Sequence, residues 1–237
     1  NISLTSRPHP WVWMSARWRY YDSDNRMPTF DNPDYIRADQ RVSTFEDIIP
    51  TAPLSFSRNN LDLDFSFTPK PFLALRGSYS RNGSTWENRI FSEAAENVGR
   101  VSLDTTAFGW LTFRGIVEKG QRTGSGFREG LLTEFAEQPD MRHFDVADRA
   151  RTRYTALVQI TPGSVFGASV SAAAGKDDYN DAQLGAAGFG LKSYENRRYS
   201  ASVDYTPSDR VAAGVWFVRE NYAAFQRSRT ATAGAQF

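Results

Sequence analysis

Apolar and polar residues alternate at every second position along much of this chain. In the stretch 199–205, Tyr199, Ala201, Val203 and Tyr205 share one face, while serine and aspartate occupy the other. A period of two indicates a β-strand with two chemically different faces. A turn at residues 206–209 and a second alternating run over 210–221 follow directly. Together these segments predict a β-hairpin.

The same unit repeats along the whole sequence and predicts about ten strands. They cover approximately residues 11–21, 61–67, 72–81, 98–106, 110–119, 152–160, 165–175, 199–205, 210–221 and 228–237. One set of connections is short and often begins with Thr-Pro, at residues 68–69, 161–162 and 206–207. The other set, at residues 22–53, 82–97 and 121–151, is long and polar. Such asymmetry is typical of outer-membrane barrels, in which the short turns are periplasmic.

Strand length separates a barrel from a soluble β-sandwich that binds glycans or proteins. Sandwich strands usually have five or six residues, whereas several of these approach the ten or so needed to cross a bilayer at a tilt. Aromatic residues make up 14% of the chain although its mean hydropathy is −0.52, and they are spread singly along alternating segments. We therefore predict one all-β domain over residues 1–237, a transmembrane antiparallel up-and-down barrel or part of one.

Charged residues on one strand face indicate a wet interior, because unpaired charge in a packed core is costly. Alternation assigns to the lumen, as candidates to contact a partner, Arg17, Arg19, Asp62, Asp64, Arg76, Arg114 and Asp204. The alternative interpretation is that each of these side chains only solvates the interior.

Aromatic residues near predicted strand ends are candidates for the girdles that mark the two membrane interfaces. The candidates are Trp11, Trp18, Tyr20, Trp110, Tyr199, Tyr205 and Trp216. The alternative is ordinary strand packing, because aromatic residues are also favoured in strands.

The sequence offers little for catalysis or cofactor binding. It contains no cysteine, which excludes disulfides, thiolate metal sites and the Cys-x-x-Cys-His haem attachment motif. His9 and His143 lie far apart in polar segments, and no usable nucleophile or phosphate-loop motif is present. The net charge of +1 does not suggest nucleic acid as a partner. We expect neither an enzyme nor a cofactor on this chain.

Several stretches, in order, resemble the MtrB/PioB family of outer-membrane β-barrels associated with decahaem cytochromes. They are residues 19–25 (RYYDSDN), 54–63 (LSFSRNNLDL), 144–149 (FDVADR), 177–180 (DDYN), 189–191 (FGL), 199–207 (YSASVDYTP) and 220–222 (ENY), with Gln226. The resemblance spans most of the chain from Trp18 to Arg229. Each motif alone is weak, and the ordered set is what carries the resemblance.

The resemblance implies a barrel in the bacterial outer membrane, surrounded by membrane lipid, that sheathes a periplasmic multihaem cytochrome in its lumen. An extracellular multihaem cytochrome is a further candidate partner. Haem would sit on the partner, and the whole would form a conduit for extracellular electron transfer. A porin or structural barrel without a redox partner is the alternative. Family barrels have well over twenty strands, so this chain is either a piece of a larger barrel or a smaller relative, because barrel diameter grows with strand number.

Overall fold

The computed structural model describes residues 1–32, 36–37, 42–43, 49–51, 53–89, 91–128, 146–179 and 189–227. Ten strands form a single antiparallel sheet in which every strand pairs with its neighbours in chain order. They are β1 (Ile2–His9), β2 (Val12–Ser23), β3 (Phe56–Lys70), β4 (Leu73–Trp86), β5 (Phe91–Ala107), β6 (Leu111–Phe127), β7 (Arg149–Ile160), β8 (Phe166–Tyr179), β9 (Gly190–Ser208) and β10 (Val211–Arg227).

This topology confirms the predicted all-β up-and-down meander. The sheet is open in the described ranges, with β1 and β10 at its two edges. Four two-residue strands in the first long connection form two separate pairs, Asp31–Asn32 with Ile49–Pro50 and Ile36–Arg37 with Val42–Ser43. Among the residues placed by the structure, no helix is long and apolar enough to span a membrane.

The strands are longer than the sequence pattern predicts. From β2 to β10 they contain 12 to 19 residues, and most of the extra length lies at the end opposite the short turns. The predicted polar loop at residues 82–97 is wrong, because β4 continues to Trp86 and β5 begins at Phe91. In these extensions the face that is apolar nearer the short turns becomes mostly polar, as at Arg81, Asn97 and Gln121, so the alternation that reveals a strand disappears there.

The set of ten strands also differs from the predicted set. Residues 2–9 form β1, a strand that precedes the first predicted one, 11–21, and contains a proline, Pro8. An edge strand tolerates such residues, since half of its backbone groups have no partner strand. The predicted last strand, 228–237, lies outside the described residues.

Hydrogen bonds between adjacent hairpins hold the short turns side by side. The backbone N–H of Thr68 donates to the carbonyl of Trp11, and that of Thr161 donates to the carbonyl of Trp110, both at 2.7 Å. Thr206 makes the same bond to Val165 at 2.7 Å. The threonine of each Thr-Pro pair thus extends the ladder by one bond before proline, which lacks an N–H, interrupts it.

The register gives the tilt of the strands. One row of directly opposed residues crosses eight strand boundaries: Val12, Phe67, Leu75, Leu103, Gly115, Ala156, Ala172, Tyr199 and Arg219. Val12 is the first residue of β2, whereas Arg219 follows the first residue of β10 by eight positions. With the short turns at one level, the stagger is about one residue per strand. A rise of about 3.3 Å against a spacing of about 4.8 Å corresponds to a tilt near 35°, as in membrane barrels.

The two faces of the sheet differ in chemistry. We call the face that carries Arg17, Asp62 and Arg114 the polar face, and the opposite one the apolar face. On the apolar face of β6, Leu111, Phe113, Gly115 and Val117 lead to Lys119. Similar apolar runs begin near the short turns of the other strands and form a band whose side chains are largely exposed. A large exposed apolar surface of this kind fits contact with lipid.

Candidate functional site

All seven lumen candidates lie on the polar face. The register opposes Arg17 to Asp62 and Arg114 to Asp104, and continues through Leu157 and Ser171 to the side of β9 that carries Asp204. Alternation within single strands was used to choose the candidates, and the strand register now places all of them on one face of the sheet. They are Arg17, Arg19, Asp62, Asp64, Arg76, Arg114 and Asp204.

Residues of β2 and β3 form the first polar group on this face. Arg19 makes an ion pair with Asp62, with an Nη2–Oδ2 distance of 2.8 Å. The hydroxyl of Ser15 donates to Asp64 at 3.2 Å. Arg17 stands directly opposite Asp62 but makes no ion pair within the described part of the chain. Its guanidinium is available to water or to a molecule in front of the wall.

A three-residue ion-pair group spans β4, β5 and β6. Asp104 accepts hydrogen bonds from both Arg76 and Arg114. The Asp104 side chain is only 15% exposed, while each arginine is about half exposed. The Asp104 carboxylate is therefore largely covered by the two arginine side chains, which are themselves more exposed. Asp104 is a site residue that our sequence analysis missed, because the predicted fourth strand was described by its bounds without assigning faces.

Asp204 is placed differently from the other six candidates. It lies opposite Gly167 on β8 and Gly214 on β10. A Cβ at Gly214 would come within 2.9 Å of the Asp204 Oδ1 atom, so the absence of a side chain at Gly214 makes room for the carboxylate. Asp204 makes no ion pair among the residues that the structure describes.

The most enclosed charges on the polar face lie beyond the apolar band, towards the long connections. Arg151 donates through Nε and Nη2 to both oxygens of Asp177, at 2.9 and 3.0 Å. Arg149 lies 3.5 Å from the same carboxylate and also bonds to Glu96. Asp177 is 6% exposed. Two-point arginine–carboxylate contacts of this kind fix geometry as well as charge.

A neighbouring pair extends this network. Arg100 on β5 contacts Glu118 on β6 through Nε at 3.1 Å and Nη2 at 2.5 Å. Two predicted strands began at residues 98 and 152 and another ended at residue 175, so the prediction missed four charged residues that lie in the strand extensions, Glu96, Arg149, Arg151 and Asp177. Every second residue there is charged, as in Arg149, Arg151 and Arg153, and that spacing is the signal that could have revealed a continuing strand face.

A short segment between β6 and β7 covers part of the polar face. Val146 and Ala147 are buried, and Val146 packs with Phe91 and Ala94. The Arg122 Nε donates to the Ala147 carbonyl at 2.9 Å. A Cβ at Gly124 would meet the Val146 carbonyl oxygen at 2.6 Å, so only glycine permits this close approach. Residues 146–148 therefore lie on the wall at its long-connection end.

The aromatic candidates occupy both ends of the apolar band. Trp11 and Trp110 lie in short turns, and Tyr205 lies on the apolar face near the short-turn end of β9. Trp18, Tyr20 and Tyr199 lie on the same face nearer the other end of the band, and the Trp18 Nε1 donates to Asn59 at 2.6 Å. These six positions lie at two levels of the sheet, and their role in interfacial girdles stays a prediction.

Trp216 differs from the other aromatic candidates. Its register partner is Ser202, whose hydroxyl lies 2.8 Å from that of Ser169 on the polar face. Trp216 therefore shares the face of the charged wall rather than that of the apolar band. The apolar run Val215–Val218 hid this difference, because both faces of β10 carry large apolar residues there.

The wall shows no arrangement suited to a metal ion in the described ranges, where no group of three or more acidic or histidine ligands converges. His9 stacks edge-on against Trp11 at a centroid distance of 4.8 Å, and His143 lies outside the described residues. Chemically, the polar face is a hydrated surface of mixed charge, held in place by cross-strand arginine–carboxylate bonds.

Comparison with known families agrees with this architecture. The family model described as outer membrane beta-barrel porin, MtrB/PioB, matches residues 1–237, which is the whole chain. No curated protein matches the sequence.

Proposed function

This chain belongs to the MtrB/PioB family of outer-membrane β-barrel porins, and from that premise we propose that its polar face lines a lumen that sheathes a multihaem c-type cytochrome. In this proposal the barrel wall separates the haems of the partner from lipid. Electrons pass along the partner, and this chain supplies a hydrated, charged inner surface.

The observation that carries the proposal is the division between the two faces. Charged groups on the polar face bond mainly to one another across strands, as Arg151 does with Asp177 and Arg19 with Asp62. The opposite face carries an exposed apolar band. A wall with these two faces suits lipid outside and a wet or protein-filled interior inside.

The sequence is consistent with haem on a partner. c-type haem is attached through cysteine, and this chain has none. We expect no haem to copurify with the isolated chain, and we expect haem in the complex.

The size of the lumen sets a condition on this proposal. At a tilt near 35°, each strand adds about 6 Å to the circumference, so ten strands would close at a backbone diameter of roughly 19 Å. Side chains fill most of such an interior, which leaves no room for a folded cytochrome. The proposal therefore requires more strands in the same wall than the ten described.

The test is purification of the protein from native outer membranes in mild detergent, read by visible absorbance. We expect a haem Soret band and a multihaem cytochrome in the same fraction. A matched preparation from cells lacking this protein controls for free cytochrome. A colourless preparation that still behaves as a barrel would refute the conduit.

A porin without a redox partner is the second candidate, favoured by the family description and by the mixed charge of the wall. Planar-bilayer recordings separate the two. An open aqueous pore gives steady ionic conductance in the purified protein, whereas a barrel occupied by a cytochrome conducts ions only after the partner is removed.

A further inference from the structure

On the apolar face, β1 to β5 form a groove that the proposed function does not use. It encloses about 610 Å³. Its walls are Leu63 and Phe65 on one side and Tyr79 and Val101 on the other. Gly77 and Gly99 also line the groove, and a Cβ added at either position would meet no atom within 4 Å. The groove exists because these two positions lack side chains.

Two cations border the end of this groove that points to the long connections. Lys119 stands directly opposite Gly99 in the register, on the same face. Arg81 follows Tyr79 by two positions, so it lies on that face one step further along β4. Within the described part of the chain, the side chains of Lys119 and Arg81 make no hydrogen bond or ion pair, and neither residue has a carboxylate as a register partner.

The groove and the cations meet at the edge of the apolar band. The Tyr79 hydroxyl donates to Asn97 at 2.7 Å, so the ring points its polar end towards the same boundary. Tyrosine at this depth is typical of a membrane interface. In a barrel with extracellular long loops, this boundary faces the headgroups of the outer leaflet.

We propose that this groove binds a phosphorylated lipid of the outer leaflet, with an acyl chain along Gly77 and Gly99 and the headgroup phosphate at Arg81 and Lys119. The groove is apolar and suits hydrocarbon. The two cations supply the complementary charge, and basic residues at a membrane surface attract anionic headgroups. The proposal depends on placement in the outer membrane but not on an electron-conduit role.

Lys176 provides a matched control. It lies in the same register row as Lys119, with Thr152 between them, and on the same face. Its surroundings differ in two respects: Asp178 lies 2.9 Å from its Nζ atom, and its register partner on β9 is the carboxylate residue Glu195, whereas Lys119 stands opposite Gly99. The same change at both lysines separates a lipid site from general surface charge.

The experiment measures lipid retained by the purified intact protein after transfer from phosphatidylcholine vesicles containing diphosphoryl lipid A, with fully dephosphorylated lipid A as the parallel probe. We expect the wild type to retain the phosphorylated form preferentially. Lys119→Gln should weaken its retention roughly fivefold, and Lys119→Gln with Arg81→Gln about 25-fold. Lys176→Gln should change retention less than twofold.

Filling the groove tests the acyl-chain half of the proposal. Gly99→Val adds a side chain into open space, so the barrel should fold, as checked by its heat-modifiable mobility on gels. We expect it to reduce retention of both lipid forms several-fold. Gly77→Val serves the same purpose if Gly99→Val does not fold.

Three results would overturn the site. The wild type retaining both lipid forms equally would exclude phosphate recognition. Equal losses in Lys119→Gln and Lys176→Gln would indicate nonspecific charge, and unchanged retention in a folded glycine variant would exclude the groove.

Discussion

Asp177 and Asp178 are adjacent in sequence but lie on opposite faces of β8, so the same substitution at each position tests the described register. Asp177→Asn keeps the size of the side chain and removes its charge. It would leave an amide where Arg151 now donates two hydrogen bonds at 2.9 and 3.0 Å. Asp178→Asn removes an exposed partner of Lys176.

The structure sets the expected magnitudes. Breaking a fully buried ion pair costs about 3–5 kcal/mol, and a hydrogen bond to a charged group contributes about 1.5–3 kcal/mol. The Asp177 side chain is 8% exposed, but Arg149 keeps its contact with Glu96 and Arg151 is 18% exposed. We therefore expect Asp177→Asn to lower the free energy of unfolding by about 2–3 kcal/mol. Asp178 is half exposed, so its loss should cost at most about 0.5 kcal/mol.

The assay is equilibrium urea unfolding of the intact protein in lipid vesicles, followed by tryptophan fluorescence. Salt adds a second criterion, because it screens exposed pairs more than enclosed ones. The Asp177→Asn loss should persist at high salt, while any Asp178→Asn loss should vanish. Equal losses for the two variants would refute the assignment of these residues to opposite faces.

Three further substitutions test other parts of the structure. Val101→Arg places a charge within the apolar band and should cost about 2–4 kcal/mol in vesicle unfolding, whereas Ser102→Arg on the polar face should be nearly neutral; equal costs would contradict the assigned faces. Gly124→Ala should destabilise by about 1–3 kcal/mol through contact with the Val146 carbonyl, while Gly77→Ala, as the matched control in the same assay, should not. In a variant that keeps Trp216 as its single tryptophan, aqueous iodide should quench the fluorescence and a nitroxide-labelled lipid should not; lipid quenching would place it outside.

Strand identity was largely predictable from the sequence within the apolar band. There, alternation of residues such as Leu61, Leu63 and Phe65 with aspartate and serine signals both the strand and its faces. The short turns that begin with Thr-Pro were also predictable from the sequence. Outside the band the alternation of apolar and polar residues is lost. Glu96 and Arg122 are polar, and most of their neighbours on the other face of the strand are polar as well.

The candidate site was predictable as a face but not as a set of contacts. Alternation predicted the face of the sheet on which Arg76 and Arg114 lie. It did not predict their shared partner, Asp104, which lies on the strand between them. The Asp177 network joins residues that are distant in sequence, among them Glu96 and Arg149, and sequence spacing carries no information about such proximity.

The strand period, the two-faced chemistry and the Thr-Pro turns follow from the sequence alone, since each of these is a local property of neighbouring residues. Three facts came only from the three-dimensional arrangement: which charges meet, that Trp216 lies on the polar face, and that Gly77 and Gly99 open one groove next to Lys119. Those facts depend on strand register, and register is fixed by hydrogen bonding between segments far apart in the chain.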